Sequence, residues 1–148
     1  MKTVAALCLF AFGCASHPVP AAPSLRIDVA GQVIDRQFRE VVVSLANTGA
    51  AAAGPTRLEV ALPQQLPVIH ESHDRNLILE KDGVSDAAHT YLYVVSSIEP
   101  GGRAVARFPF PRQGEMVLRK GEITVTAWNS SLPEGRLAVR RQGGGTPE

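Results

Sequence analysis

The feature that most constrains the fold of this chain is an alternation of apolar and polar side chains, which recurs in short segments from Leu25 onward. In the first segment Leu25, Ile27 and Val29 alternate with Arg26 and Asp28. Because successive side chains of a β-strand point to opposite faces, this spacing is typical of strands with one buried face. No stretch shows sustained helical spacing, so the sequence predicts an all-β fold.

Short segments with this strand character follow one another along the chain, and turn residues separate them. An alternating strand can bury its apolar face only against a second sheet. The sequence therefore predicts an immunoglobulin-like antiparallel β-sandwich of about 7–9 strands over residues 25–141. The predicted strands are Leu25–Val29, Phe38–Ala46, Arg57–Leu62, Leu77–Glu80, Thr90–Ile98, Val105–Phe108, Ile123–Ala127 and Leu137–Val139.

The turns between these strands have recognisable chemistry. Asn47–Gly49 ends the second predicted strand, and Pro63 ends the third. Asp82–Gly83 predicts a tight hairpin turn, since this dipeptide readily adopts the positive φ that such turns need. Pro100–Gly101 predicts a type II turn, because proline and then glycine suit its two central positions.

Composition narrows the class of protein further. A chain of 148 residues is long enough for one domain. Both cysteines, Cys8 and Cys14, lie near the N-terminus, so the rest of the chain can form neither a disulfide nor a cysteine metal site. The net charge is only +1, which offers no electrostatic attraction to nucleic acid or to an acidic membrane surface. We expect no cofactor.

The N-terminus has the pattern of a secretory signal peptide over residues 1–13. Lys2 is followed by an apolar run over residues 4–12, which is too short to span a bilayer core of about 30 Å as a helix. Gly13 and Cys14 then resemble a bacterial lipoprotein signal, in which a small residue precedes the cysteine that is acylated and becomes the mature N-terminus. This resemblance implies a membrane anchor at Cys14, facing the periplasm, on the outer membrane rather than the inner.

The alternative is removal of the leader by ordinary signal peptidase after Ala15 or Ala22, which would leave the protein periplasmic or secreted. In the lipoprotein interpretation, residues 14–24 contain the lipidated cysteine and a tether rich in proline and alanine. Residues 142–148, with three consecutive glycines, are expected to form a flexible tail.

Several turn residues resemble the conserved-repeat and cell-adhesion-related domains of bacterial envelope and surface proteins. The resemblance implies an immunoglobulin-like fold and a place in the cell envelope. Members of that family occur as tandem repeats in long chains, whereas this chain has a single copy. The matching residues are Asn47 and Gly49, residues 50–54, Leu62 and Pro63, Ile98, Pro100 and Gly101, and residues 123–128.

One segment has the composition of a metal site. Neutral imidazoles and carboxylates are good ligands for zinc or copper, and a loop could bring His70 and His73 onto one ion. The alternative is a solvated loop between two strands. The residues considered are His70, Glu71, His73 and Asp74, with His89 further along the chain and His17 in the tether.

The sequence contains no recognisable grouping of acid, base and nucleophile. The leading hypothesis is therefore a non-enzymatic envelope lipoprotein whose sandwich acts as a binding or assembly module for an envelope protein partner. One alternative is a periplasmic metal-binding protein that uses His70 and His73. A second is an enzyme whose residues meet only in three dimensions.

Overall fold

The computed structural model describes residues 21–34, 36–112 and 123–129, and the backbone of residues 136–142. These residues form strands and no helix, so the predicted all-β class is confirmed. In this part of the chain there is accordingly no apolar helix of membrane-spanning length. The strands are β1 (Leu25–Val33), β2 (Phe38–Asn47), β3 (Thr56–Pro63), β4 (Ser72–His73), β5 (Leu77–Val84), β6 (Ala88–Val95), β7 (Arg103–Pro111), β8 (Ile123–Asn129) and β9 (Arg136–Gln142).

Several sequence predictions concern residues outside this description. They are the signal peptide of residues 1–13, the acylated Cys14, His17 in the tether, and residues 143–148 of the tail.

The strands form two antiparallel sheets. The four-stranded sheet has the order β1-β2-β7-β4, and the five-stranded sheet has the order β5-β6-β3-β8-β9. Without the β5–β6 hairpin, the remaining seven strands have the order of an immunoglobulin constant domain, with ABED in one sheet and CFG in the other. The predicted immunoglobulin-like sandwich is thus confirmed, and the extra hairpin widens the second sheet beside β3.

The core lies between the sheets and consists of every second side chain of the long strands. This is the face that the alternation predicts, and each fully buried aliphatic or aromatic side chain contributes about 1.5–3 kcal/mol to stability. No cysteine follows Cys14, so the sandwich is held by packing and hydrogen bonds alone. Fully buried members are Val43, Leu45, Leu58, Val60, Leu62, Tyr93, Val95, Phe108 and Val125.

The predicted type II turn at Pro100–Gly101 is confirmed. Gly101 has a φ of 75°, and the amide of Gly102 donates to the carbonyl of Glu99 at 2.8 Å. This turn leads into β7. The preceding strand, β6, ends at Val95, three residues before its predicted end at Ile98.

The predicted tight turn at Asp82–Gly83 is wrong. Gly83 does not have a positive φ, and β5 continues to Val84 in register with β6, with a bulge between Leu79 and Lys81. The turn lies instead at Ser85–Ala88, where the Ser85 hydroxyl accepts a hydrogen bond from the Ala88 amide at 3.2 Å. Serine stabilises such a turn through its side chain, so a glycine was unnecessary there.

One end of the sandwich, here named the tether end, is where residues 21–24 enter. The amide of Thr48 donates to the carbonyl of Ser24 at 2.7 Å, and the amide of Ala50 donates to that of Ala22 at 3.2 Å. At the centre of this end Asn47 is only 1% exposed. Its amide nitrogen donates to the carbonyls of Ala51 and Ile98, both at 2.8 Å, which links the ends of the two sheets.

The opposite end is named the distal end. It contains the β1–β2 hairpin, the end of β7, and the connection from β3 to β4, which crosses between the sheets. In that connection the amide of Leu66 donates to the carbonyl of Pro63 at 2.9 Å, and the amide of Ile69 donates to the carbonyl of Pro109 at 3.0 Å. The ends of both sheets therefore lie together here.

Candidate functional site

The histidine- and carboxylate-rich segment lies on and beside the short strand β4, which the sequence did not predict. Glu71 Oε1 lies 2.5 Å from His73 Nδ1 and accepts a hydrogen bond from the Tyr93 hydroxyl at 2.8 Å. The His73 ring also contacts the edge of the Tyr93 ring, with centroids 5.6 Å apart. Since β4 belongs to one sheet and β6 to the other, this cluster joins the two sheets.

Tyr93 of this cluster and Tyr91, two residues before it on β6, are held in their neutral form. Burial raises the pKa of Tyr93 far above its ordinary value, and the hydrogen bond to Glu71 raises it further. Burial also raises the pKa of Tyr91, with smaller contributions from Asp82 and Glu71. Tyr93 therefore acts as a hydrogen-bond donor to the carboxylate, which is a structural role.

Two further residues of the segment are placed differently. Asp74 accepts a hydrogen bond from the amide of Val105 at 3.0 Å through Oδ2, so its carboxylate supports the backbone of β7. His70 is exposed to solvent.

His89 lies on β6, stacked on Tyr91 with ring centroids 4.4 Å apart. Its Nδ1 is 3.3 Å from the Tyr91 hydroxyl, and its Nε2 is 3.9 Å from Asp82 Oδ2. The described part of the chain contains no group of three or more histidine, cysteine, aspartate or glutamate side chains placed to hold an ion. A metal site that uses His70 and His73 stays a prediction.

A second candidate is the outer face of the five-stranded sheet, here named the apolar face. Strand register places Ile78 beside Val94, Val94 beside Arg57, and Arg57 beside Trp128. This row crosses four neighbouring strands. Leu92 lies on the same face of β6, two residues before Val94. Ile78 is 61% exposed, and Leu92, Val94 and Trp128 are half-buried.

The outer face of the four-stranded sheet differs in chemistry. It carries ion pairs within the protein, between Arg26 and Asp28 at 2.8 Å and between Arg107 and Glu40 at 3.6 Å. Arg57 on the apolar face, in contrast, has no ion-pair partner within the described ranges. One outer face thus contains two ion pairs, and the other presents a row of apolar side chains around Arg57, with the charged residues Glu59 and Lys81 in register with Leu92.

The sequence prediction missed the apolar face, although one signal for it was present. Residues 91–95 are apolar or aromatic at every position rather than at alternate ones. Such a run is typical of a strand that has apolar neighbours on both faces. Its outward members, Leu92 and Val94, mark the apolar face.

No protein-family model and no curated protein sequence matches the chain. Among solved structures, it is similar to the cohesin module of a family 33 glycoside hydrolase from Clostridium perfringens, with a TM-score of 0.51 and 12% identity over 83% of this chain and 96% of that one. It is also similar to biomass-sensing modules from Clostridium thermocellum that resemble family 3 carbohydrate-binding modules, with a TM-score of 0.43 and 14% identity, covering 85% and 100% of the two chains.

A third similar structure is the family 20 exo-β-N-acetylglucosaminidase from Vibrio harveyi, with a TM-score of 0.43 and 8% identity over 80% of this chain. This chain spans only 17% of the length of that enzyme. At such low identities, these likenesses concern the fold alone. The chain therefore shares a β-sandwich architecture with the cohesin module.

Proposed function

We propose that this protein is a non-enzymatic binding module of the bacterial cell envelope, which binds an envelope protein partner through the apolar face. The observation that carries the proposal is the row of Ile78, Val94, Arg57 and Trp128 across four strands. Tryptophan and arginine are enriched among the residues that dominate binding energy at protein interfaces. The fold shared with a cohesin module is compatible with this role.

The chemistry of the row explains why a protein is the favoured partner. Aliphatic side chains and an indole on a flat sheet gain free energy when a second apolar surface removes them from water. Arg57 lies inside the row, so a carboxylate on the partner would complete its hydrogen bonds and fix the orientation of the complex. The expected partner thus carries an apolar patch with an acidic residue near its centre.

The test compares a double variant of the apolar face with a matched variant of the other sheet. Ile78→Asp with Arg57→Glu changes two exposed positions of the apolar face, and Ala30→Asp with Arg26→Glu makes the same charge changes on the four-stranded sheet. Crosslinking in the native cell, followed by mass spectrometry, should recover the partner with the wild type and the second variant but not the first. Equal recovery from both variants would overturn the proposal.

We further propose that the module is held on the periplasmic side of a membrane by acylation of Cys14. The leader supports this, because a cysteine directly follows Gly13 at the end of a short apolar segment. Burying acyl chains contributes about 0.8 kcal/mol per methylene, so a multiply acylated cysteine holds a protein on a bilayer without help from the domain. Membrane fractionation of Cys14→Ser and treatment with globomycin test the anchor, and a membrane-bound Cys14→Ser protein without precursor accumulation would refute it.

A further inference from the structure

The distal end exposes a group of large aliphatic side chains. Val33 and Ile34 on the β1–β2 hairpin are each 50% exposed, and Ile69 on the connection to β4 is 53% exposed. Val84, at the end of β5, is also exposed. Of the five exposed large hydrophobic residues in the described ranges, only Ile78 lies elsewhere. Scattered single residues of this kind are ordinary, but four at one end of a domain indicate a contact surface.

Strand register places Val33 and Ile69 at the same end of the four-stranded sheet. Val33 pairs with Arg39 across the β1–β2 hairpin, and Glu40 on β2 pairs with Pro109 on β7. The Pro109 carbonyl accepts the hydrogen bond from the Ile69 amide at 3.0 Å. The strands β2 and β7 lie between Val33 on β1 and Ile69. Since neighbouring strands are about 4.8 Å apart, both residues lie on one narrow end of the domain.

Three arginines lie at the same end. Arg36 is on the β1–β2 hairpin, Arg39 is opposite Val33, and the amide of Arg112 donates to the carbonyl of Gln37 at 2.7 Å. None of the three forms an ion pair within the described part of the chain. Asp35 adds one negative charge to this stretch of sequence, and Glu40 on β2 is paired with Arg107 at 3.6 Å, so the β1–β2 and β7 side of the distal end keeps an excess of positive charge. The acidic residues Asp82 and Asp86 lie on either side of Val84, which belongs to the other sheet.

We propose that the distal end docks on an anionic phospholipid bilayer. Val33, Ile34 and Ile69 would lie among the lipid headgroups, with the arginine side chains against lipid phosphates. A bilayer is flat and receives several projecting side chains at once, whereas a protein partner needs a continuous complementary surface. The charge of the group matches an anionic surface. This contact is separate from the apolar face and goes beyond the binding role proposed above.

The test uses the chain that begins at Ala15, which lacks the leader and the acylated cysteine. It keeps every core residue, since the core extends from Ile27 to Ala127. Cosedimentation is measured with vesicles of phosphatidylcholine alone and of equal parts phosphatidylcholine and phosphatidylglycerol. We expect binding only to the second vesicles, and weaker binding as sodium chloride is added, because salt screens exposed charges.

Two pairs of substitutions test the two parts of the surface. Ile34→Ser with Ile69→Ser should weaken binding about tenfold by removing the inserted side chains. Arg36→Gln with Arg112→Gln should weaken it about thirtyfold by removing two charges near the anionic surface. All four positions are exposed, so thermal unfolding should confirm that the variants fold like the wild type.

Two controls separate this proposal from the binding role of the apolar face. Ile78→Ser removes an isoleucine that is at least as exposed as Ile34 and Ile69 from that face, and Arg103→Gln removes an exposed arginine at the tether end. Both should bind vesicles like the wild type, including when Ile78→Ser weakens capture of a protein partner. The proposal is overturned if phosphatidylglycerol vesicles do not bind the chain, or if the distal variants bind as well as the controls. It is also overturned if the distal residues capture a protein and the wild type binds no vesicles.

Discussion

The two ends of the sandwich are built on different principles. At the tether end Asn47 is buried, and its side chain makes hydrogen bonds to the chain around Ala51, Ile98, Ser24 and Gly49. At the distal end the β1–β2 hairpin closes with a backbone hydrogen bond from Ile34 to Phe38 at 3.0 Å and exposes aliphatic side chains. One end satisfies its polar groups internally, and the other leaves apolar groups in water.

This difference separates stability from binding. A polar network that excludes water is stronger than the same bonds at the surface, and it requires one geometry. It therefore fixes how the two sheets meet. Exposed aliphatic side chains contribute little to the free energy of folding. When another surface covers them, their removal from water contributes favourably to the free energy of binding. We expect substitutions at the tether end to change stability and substitutions at the distal end to change binding.

The largest expected effect follows from Asn47→Ala. The substitution leaves the carbonyls of Ala51 and Ile98 without their donor and removes the acceptor for the Ser24 and Gly49 amides. Since an unsatisfied buried polar group costs about 1–3 kcal/mol, we expect the free energy of unfolding to fall by about 3 kcal/mol. Urea denaturation of the chain from Ala15 measures it. The neighbouring Thr48→Ala, which affects only an exposed hydroxyl, should cost under about 1 kcal/mol.

The second prediction concerns the Tyr93–Glu71 bond, which joins the sheets between the two ends. A hydrogen bond to a charged group is worth about 1.5–3 kcal/mol, so Tyr93→Phe should lower the free energy of unfolding by about 2 kcal/mol at neutral pH. Urea denaturation of both proteins provides the measurement. A loss as large as that of Asn47→Ala would show that the middle of the sandwich, and not the tether end, fixes how the sheets meet.

The same tyrosines predict how stability changes at high pH. Their pKa values are raised in the folded state, so the unfolded chain loses its phenol protons first, from about pH 10 upward. Raising the pH then favours the unfolded state, and the free energy of unfolding falls by about 1.4 kcal/mol per pH unit for each tyrosine. The contribution is fully present below about pH 10. The Tyr93→Phe protein should show a shallower decline, so its curve and that of the wild type converge; parallel curves would contradict this.

The sequence was more informative about the fold than about the binding surfaces. The sequence pattern predicted all eight of the long strands and the two-sheet arrangement, because a buried face leaves a periodic trace in the sequence. The two-residue strand β4 left no such trace, since His73 and Ser72 depend on pairing with β7 rather than on burial. The turn after β5 was misplaced because Asp82–Gly83 has turn chemistry, yet pairing with β6 holds it in the strand.

Surfaces that depend on register could not be predicted in the same way. Ile78, Arg57 and Trp128 are distant in the chain and meet only because β5, β6, β3 and β8 are neighbours in one sheet. Val33 and Ile69 are likewise distant in the chain, and only strand register places both at the distal end. The histidine segment, in contrast, was visible in the sequence. Its contact with Tyr93 was not, because that contact crosses between the sheets.

A smaller effect is expected at the turn that completes the tether end. Gly101 has a φ of 75°, a conformation that costs a residue with a side chain about 1–2 kcal/mol, so Gly101→Ala should destabilise the protein by about 1 kcal/mol. Gly31 on β1 is the control, since no atom lies within 4 Å of an added Cβ and its φ is not positive. Gly31→Ala should be neutral or slightly stabilising in the same urea titration. Equal losses of stability at both positions would mean that the positive φ of Gly101 does not cause the destabilisation.

The smallest effect on folding is expected at the distal end, and it is the sharpest test of the contrast between the ends. Val33→Ser with Ile34→Ser replaces two half-exposed aliphatic side chains on the β1–β2 hairpin. Surface substitutions outside the core change stability by about 0.5 kcal/mol or less each, because the side chains are already partly in water. Urea denaturation should therefore give a total loss under about 1 kcal/mol. If the loss instead matched that of Asn47→Ala, these residues would belong to the core, and the distal end would be a second structural closure rather than a surface that is free to bind.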